Sequence, residues 1–351
     1  MQYINAKNIY LTVRTRYIGG ENMTEMNWNR TDLIDESEQI ASIQPDEQGI
    51  IVENEEDNRV LIKKVKVEEE AATRINKKFG DYITLTVPML NVDDDDGIEQ
   101  LQNALTKQLQ LLHKKITLDK DSKVLIIGLG NKTITPDAVG PYTIDVLQTI
   151  EMPQCIMYAP GVTGQTGLET KEFIEALVRQ VNPELVIVID ALATKSTNRL
   201  CKTIQLTNTG IHPGSGVGNM RQEIAYETLG VPVTAIGVPT VVDATVLLAD
   251  AVEMLFRTIA AKIDEQQKPS SKLSVVNWSV PETFNVETIR PIFGEWTSWT
   301  NEERHQLLEE VLNVQNRLIV SPKEIDLWNN RYSELISTSL SEWFESFEFN
   351  S

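Results

Sequence analysis

The chain has 351 residues, 41% of them hydrophobic, and a formal net charge of −19, a balance that fits a globular protein with a substantial core. Such acidity argues against direct binding to nucleic-acid phosphates, and no apolar run approaches the roughly 20 residues that span a membrane. Two cysteines, Cys155 and Cys201, and three scattered histidines, His113, His212 and His305, form neither a disulfide framework nor a zinc pattern. A cytoplasmic protein without metal or other cofactor is therefore expected.

Residues 1 to about 45 are polar and weakly periodic, which suggests a peripheral segment. Short β-like runs follow at 49–52, 60–67 and 82–87, separated by charged turns and suited to an antiparallel or edge region. The spacing of Ile98, Leu101, Leu105, Leu109 and Leu112 predicts a helix over 95–113, with Asp93 to Asp96 at its electropositive start. From 124 to 261 the pattern becomes apolar strand, glycine-bearing turn and amphipathic helix, repeated. Strands are predicted at 124–128, 155–159, 185–189, 203–206 and 233–238, and helices at 140–149, 170–180, 219–229 and 241–261. This alternation predicts an α/β fold: a twisted, mostly parallel sheet with helices on both faces. Gln266 to Ser271 reads as a linker, and 301–314 and 321–344 read as helices, the second capped by Ser321 and Pro322. The expected organisation beyond the first 32 residues is 33–120 β-rich with one helix, 121–265 as the central α/β domain, and 266–351 as linker plus helices.

The chemistry is expected at two aspartates. Asp137 follows the run Val124 to Gly128, through Leu129-Gly130-Asn131 and Thr135-Pro136, while Asp190 directly follows Leu185 to Ile189. Ligands of open parallel sheets bind beyond the carboxyl ends of the strands, so two carboxylates delivered there can share one site. Such a pair holds one proton between them, leaving one charged group to activate water. Taken singly, each residue also fits a local role, Asp137 bonding its own turn and Asp190 capping the next segment. Pro136, Pro160, Pro213 and Pro239 follow the predicted strand ends, so that edge is built of constrained loops.

Weaker signals surround the pair. Gly128-Leu129-Gly130 begins like a dinucleotide fingerprint but has Thr133 where its third glycine belongs. His212-Pro213-Gly214-Ser215-Gly216-Val217-Gly218 is a glycine-rich loop able to aim N–H groups at an anion or oxyanion; the same glycines would also serve a plain crossing loop. Pro213 stands where a nucleophile elbow needs glycine, which disfavours Ser215 as nucleophile. Two carboxylates with His212 are also a donor set that can accept a divalent ion.

These segments resemble the germination protease, or spore protease, family of spore-forming bacteria. The resemblance is carried by Val-Leu-Ile-Ile-Gly-Leu-Gly-Asn at 124–131, Thr-Pro-Asp-Ala-Val-Gly-Pro at 135–141 and Ala-Pro-Gly-Val-Thr-Gly-Gln-Thr-Gly-Leu-Glu-Thr at 159–170. It continues through Ile-Asp-Ala-Leu-Ala at 189–193, Thr-Gly-Ile-His-Pro-Gly-Ser-Gly-Val-Gly-Asn at 209–219 and Gly-Val-Pro-Thr-Val-Val-Asp-Ala at 237–244, and weakens before Ser-Pro-Lys-Glu-Ile-Asp at 321–326. It implies an aspartic-type endopeptidase that degrades small acid-soluble spore proteins during germination, with Asp137 and Asp190 matching the family's essential aspartates. It further implies a fold shared with hydrogenase-maturation peptidases, assembly as a homotetramer, residence in the forespore and spore core, and a zymogen that removes its own propeptide. Arg30-Thr31-Asp32-Leu33 resembles the processing site, with cleavage between Asp32 and Leu33, which implies that 1–32 is the propeptide. His212, Gly214, Ser215 and Gly216 are supporting candidates. Two other classes stand beside this reading: a non-catalytic homologue that binds spore proteins, and an α/β module that binds anions or nucleotides.

Overall fold

A computed structural model describes residues 49–75, 77–119, 121–161, 170–213, 223–267, 284–312 and 318–347. The described residues fall into two compact units, one formed by 49–243 with 318–347 and the other by 244–312.

The first unit is an α/β layer structure around a nine-stranded mixed sheet. Its elements run β1 (Ile50–Asp57), β2 (Val60–Val67), α1 (Glu69–Ala72), β3 (Gly80–Thr86), α2 (Asp95–Leu112), β4 (Val124–Gly128) and α3 (Val139–Leu147). They continue with β5 (Cys155–Tyr158), α4 (Thr170–Val181), β6 (Leu185–Thr194), β7 (Thr203–Thr207), α5 (Tyr226–Leu229) and β8 (Val233–Asp243). The second unit contributes α6 (Ala244–Gln267), α7 (Val286–Phe293) and α8 (Asn301–Leu312), after which β9 (Ile319–Val320) and α9 (Ile325–Glu345) return to the first. Across the sheet the order is β1-β2-β3-β7-β8-β6-β4-β5, with β9 on β8. β5, β4, β6 and β8 are mutually parallel, whereas each successive pairing from β8 through β7, β3 and β2 to β1 is antiparallel.

The parallel strands are continuous apolar runs because both of their faces are covered. On one face Ile126, Ile187, Ile189 and Ile236 join α2, α3 and α9 in the larger core. On the other, Leu125, Ile127, Val186 and Val188 pack with Ile174 and Val178 of α4. Each fully buried Ile, Leu or Val contributes roughly 1.5–3 kcal/mol relative to exposure. β1 to β3 extend this same sheet rather than forming a separate one, and α9 packs against α2 and α3 of the same unit. The second unit has its own cluster of Phe256, Ala260 and Ile289, with the Arg304 guanidinium 5.1 Å from the Phe256 ring centroid.

Several predicted boundaries shift. β6 continues past Ile189 to Thr194, and β8 past Val238 to Asp243, since the two remain paired beyond Asp190. Pro239 thus lies inside a strand; the register slips between Leu192 and Ala193, a bulge that accommodates a residue without an N–H. The helix expected at 219–229 is α5 alone among the described residues, because Ile224 bridges to Ile211 as strand. The last helix begins at Ile325, not at the Ser321-Pro322 pair, and its N-cap Glu324 makes no capping bond. Residues 268–271 of the expected linker and 313–314 of the expected 301–314 helix lie outside the described residues.

Candidate active site

β4 and β6 pair from Val124↔Leu185 to Gly128↔Ile189, and the pairing closes with Leu129 N–H donating to Ile189 O at 2.8 Å. There the chain leaves the sheet, with Gly130 at φ 114, a conformation that favours glycine. Asp190 is therefore the first β6 residue without a β4 neighbour, while Gly237 of β8 still pairs with it on the other side. Its side chain falls on the face of Val188 and Leu192 by strand alternation, is 5% exposed, and accepts the Ala191 N–H through Oδ1 at 2.9 Å.

Asp137 ends a 3₁₀ turn, Thr135–Asp137, between β4 and α3. Asn131 organises that turn. Its Oδ1 accepts from Thr133 N and Thr133 Oγ1 at 2.9 and 2.8 Å, and its N–H donates to Asp137 O at 3.0 Å. The Asp137 carboxyl reaches back beside Gly130: a Cβ on Gly130 would stand 3.1 Å from Asp137 Oδ1 and would overlap Asp137 O. Gly140, in the first turn of α3, makes a second close approach, since its Cβ would overlap Leu129 O and lie 2.6 Å from Ile189 O. The glycines that suggested a nucleotide loop thus let α3 and the 3₁₀ turn sit directly on the strand ends. Both aspartates flank one short segment, Leu129-Gly130, at the carboxyl end of the parallel strands, and Cα atoms of the 3₁₀ turn come within 8 Å of β6 and β8.

His212 is not brought to them. Gln205 pairs with Gly237, the partner of Asp190, but β7 then runs the other way, so that Thr207 pairs with Ala235, which in turn pairs with Val188. His212 lies beyond that end of β7, with Nε2 3.1 Å from Glu223 Oε1, and Glu223 also meets Lys78 Nζ at 2.7 Å. Burial pushes the Glu223 carboxyl up, but the His212 and Lys78 donors outweigh it and hold the group below its usual 4.5. Among the described residues no three His, Cys, Asp or Glu side chains converge as a metal cluster. Gly214, Ser215, Gly216, Asp32 and Leu33 lie outside the described residues.

Two supports were not expected from the sequence, Asn131 and a residue from the far end of the chain. Asn329 of α9 donates Nδ2–H to Thr135 O at 2.6 Å. One and two turns further on, Ser333 Oγ donates to Val139 O at 3.4 Å and Ser337 Oγ to Thr143 O at 3.2 Å. The signal available in sequence was the spacing of Asn329, Ser333 and Ser337 by four residues, a polar stripe on a helix otherwise rich in apolar positions.

The family described as germination protease matches residues 28–346. The germination protease of Priestia megaterium is 36% identical over 340 residues, covering 89% of this chain and 92% of that protein. That of Bacillus cereus is 36% identical over 337 residues, with the same coverage of 89% and 92%. Among solved structures, the hydrogenase maturation protease HycI of Thermococcus kodakarensis shows 17% identity over 34% of this chain and 76% of its own, with a TM-score of 0.26. The endopeptidase HYBD of E. coli shows 16% identity over 41% of this chain and 93% of its own, with a TM-score of 0.24. With the family matched over residues 28–346 and curated relatives aligned along nearly their whole length, this chain belongs to the germination protease family.

Proposed function

We propose that this germination protease is an aspartic-type endopeptidase whose catalytic pair is Asp137 and Asp190, and whose substrates are small acid-soluble spore proteins. The observation that supports the reading is that Asp137, whose carboxyl lies beside Gly130, and Asp190, which follows the Ile189 carbonyl bonded to Leu129 N–H, both stand at the end of β4 and β6, at the sheet edge where a parallel α/β fold offers a crevice. In the proposed reaction the ionised carboxylate takes a proton from water as the water oxygen bonds to the peptide carbonyl carbon. The protonated partner gives its proton to the carbonyl oxygen. Collapse of the tetrahedral adduct breaks the C–N bond: the departing nitrogen takes up the proton held by the first carboxylate, and a hydroxyl of the adduct returns its proton to the second as the C=O re-forms.

The same reading extends to the chain's own processing. It is a precursor, cut between Asp32 and Leu33 by the same dyad, that works as a homotetramer in the spore core. Among the described residues no helix is long and apolar enough to cross a membrane. The deciding experiment is incubation of the purified chain with a small acid-soluble spore protein, followed by mass spectrometry of the fragments. Cuts on the carboxyl side of acidic residues that precede apolar ones are expected, and an untouched substrate would overturn the reading. N-terminal sequencing after storage at mildly acidic pH should find Leu33, and Asp32→Ala should keep its full length.

A further inference from the structure

Asn329 lies fully buried on α9, nearly two hundred positions from the turn it touches. Its Nδ2 donates to Thr135 O at 2.6 Å, while its Oδ1 is buried without a hydrogen-bond partner among the described residues. The orientation of the amide follows from its neighbour, because the flipped amide would set two oxygens against each other. Thr135 O already accepts the Ala138 N–H at 3.2 Å, so the turn does not need Asn329 to satisfy that carbonyl. Half of the Asn329 amide is thus left without a partner among the described residues, a net cost to stability. An apolar side chain of similar volume would avoid that cost, so stability alone does not account for an amide here.

What the amide does is fix the 3₁₀ turn from the side away from the sheet. Asn131 holds Asp137 through its main-chain carbonyl, and Gly130 admits the Asp137 carboxyl beside it. Asn329 adds a further tie at Thr135 O. Ser333 and Ser337 repeat the contact along α3, so α9 lies along the turn and helix that carry Asp137. We propose that Asn329 is a positioning residue for the peptidase reaction, setting Asp137 against Asp190 through the Thr135 carbonyl. The proposal rests on the assignment of that pair as the catalytic dyad.

The test uses the full chain with a small acid-soluble spore protein as substrate and compares Asn329→Leu, Asn329→Asp and Asp137→Asn with wild type. Asn329→Leu is expected to lower kcat by about ten-fold to a hundred-fold with KM unchanged, since a misplacement of ~1 Å in a catalytic group has effects of that size. Its thermal midpoint should stay level or rise. Asn329→Asp keeps the shape but can donate only when protonated, so its activity relative to wild type should climb as pH falls. A kcat within two-fold of wild type for either variant at neutral pH overturns the proposal, as does a loss that merely tracks the unfolded fraction. If Asn329→Leu does not fold, the isosteric Asn329→Asp decides alone. Hydrogen exchange of the Asn131, Asp137 and Ala138 amides reads the turn without substrate: faster exchange there in Asn329→Leu, with α2 unchanged, is expected, and unchanged exchange overturns the proposal. If wild type cleaves nothing, the dyad reading fails while the exchange result still decides the role of Asn329.

Discussion

The two ends of the parallel strands share main-chain ties but differ in the side chains described beside them. At the carboxyl end the ties described around Asp137 and Asp190 run through the main chain: Leu129 N–H to Ile189 O, Asn131 N–H to Asp137 O, and Asn329 to Thr135 O. Glycines there bring backbone against backbone. Towards the amino end main-chain bonds such as Glu184 N–H to Lys123 O and Val186 N–H to Pro232 O, both at 2.9 Å, are joined by titratable side chains. His113 meets Thr234 Oγ1 at 2.8 Å, and Lys78 bridges Glu223 and Glu227 at 2.7 and 2.5 Å with His212 on the same Glu223. Main-chain bonds and steric contact respond weakly to pH and salt but tolerate little change of side chain. Exposed ion pairs behave in the opposite way, being screened and individually weak. The two ends divide by the side chains described as joining the backbone: Asn131 and Asn329 near Asp137, and His113, Lys78, His212 and Glu223 towards the amino end.

The largest effect is expected from loss of either carboxylate at the carboxyl end. Asp137→Asn and Asp190→Asn should each lower peptidase turnover by on the order of 10⁴, the scale seen when one member of a catalytic unit is removed. Circular dichroism should remain unchanged, and near-normal turnover by either variant would remove the dyad. A smaller but sizeable effect is expected from Gly140→Ala. The new methyl would meet Leu129 O and Ile189 O well inside contact distance, and neither is a flexible atom. Overpacking against backbone costs about 3 kcal/mol, so the urea midpoint should fall and surviving activity should drop further than the folded fraction accounts for. A variant of unchanged stability would show that α3 is not tightly seated on the strand ends.

What could be read in the sequence follows the same division. Buried parallel strands announce themselves as apolar runs, so Val124–Gly128 and the start of β6 were legible, and with them the two aspartates at the edge. α2 was legible because one stripe of leucines is enough to fix a helix. The extension of β6 through Ala191-Leu192-Ala193-Thr194 was not, since its extended form is imposed by pairing with β8 across a bulge rather than by its own residues. Asn329 and Glu223 were invisible for a related reason. Their partners lie far away in sequence, and only the completed packing decides whether a polar residue faces water, a carbonyl or another charge. His212 shows the converse: placed in a conspicuous glycine-rich loop, it is claimed by a carboxylate that no local pattern marked.

At the amino end the largest effect should come from His113. Burial depresses its imidazole from 6.5 to about 4, with its Nε2 on Thr234 and its ring 4.9 Å from that of Trp343. The folded state therefore binds this proton less readily than the unfolded chain. Stability is fully present above the unfolded value of 6.5 and falls as pH drops towards the folded value of about 4. The expected loss is about 2 kcal/mol by pH ~5, because each pH step of one between those two values costs about 1.36 kcal/mol. Urea titrations of wild type and His113→Phe at neutral and mildly acidic pH measure it. The variant should lose about 1 kcal/mol at neutral pH, because the Thr234 hydroxyl is left unpaired, but should show a flatter pH response. Equal slopes would place the acid sensitivity elsewhere.

The smallest expected effect separates the two ends most sharply. His212→Ala removes one contact of Glu223 but leaves Lys78 in place, and the His212 side chain is 53% exposed. Such a pair is worth less than about 1 kcal/mol and less still in high salt. Stability should therefore shift only slightly, and turnover should stay within a few-fold of wild type, because the register of β7 carries His212 away from the level of Asp190. Glu223→Gln should act more strongly than His212→Ala, since it weakens the ties to both His212 and Lys78. The low Glu223 pKa means that its contribution is present above its ordinary value of 4.5 and is lost as pH falls through its lower folded value. The two variants should thus differ at neutral pH and converge in acid. Turnover lost by His212→Ala at unchanged stability would bring the histidine into the site, and the separation between the two ends of the sheet would no longer hold.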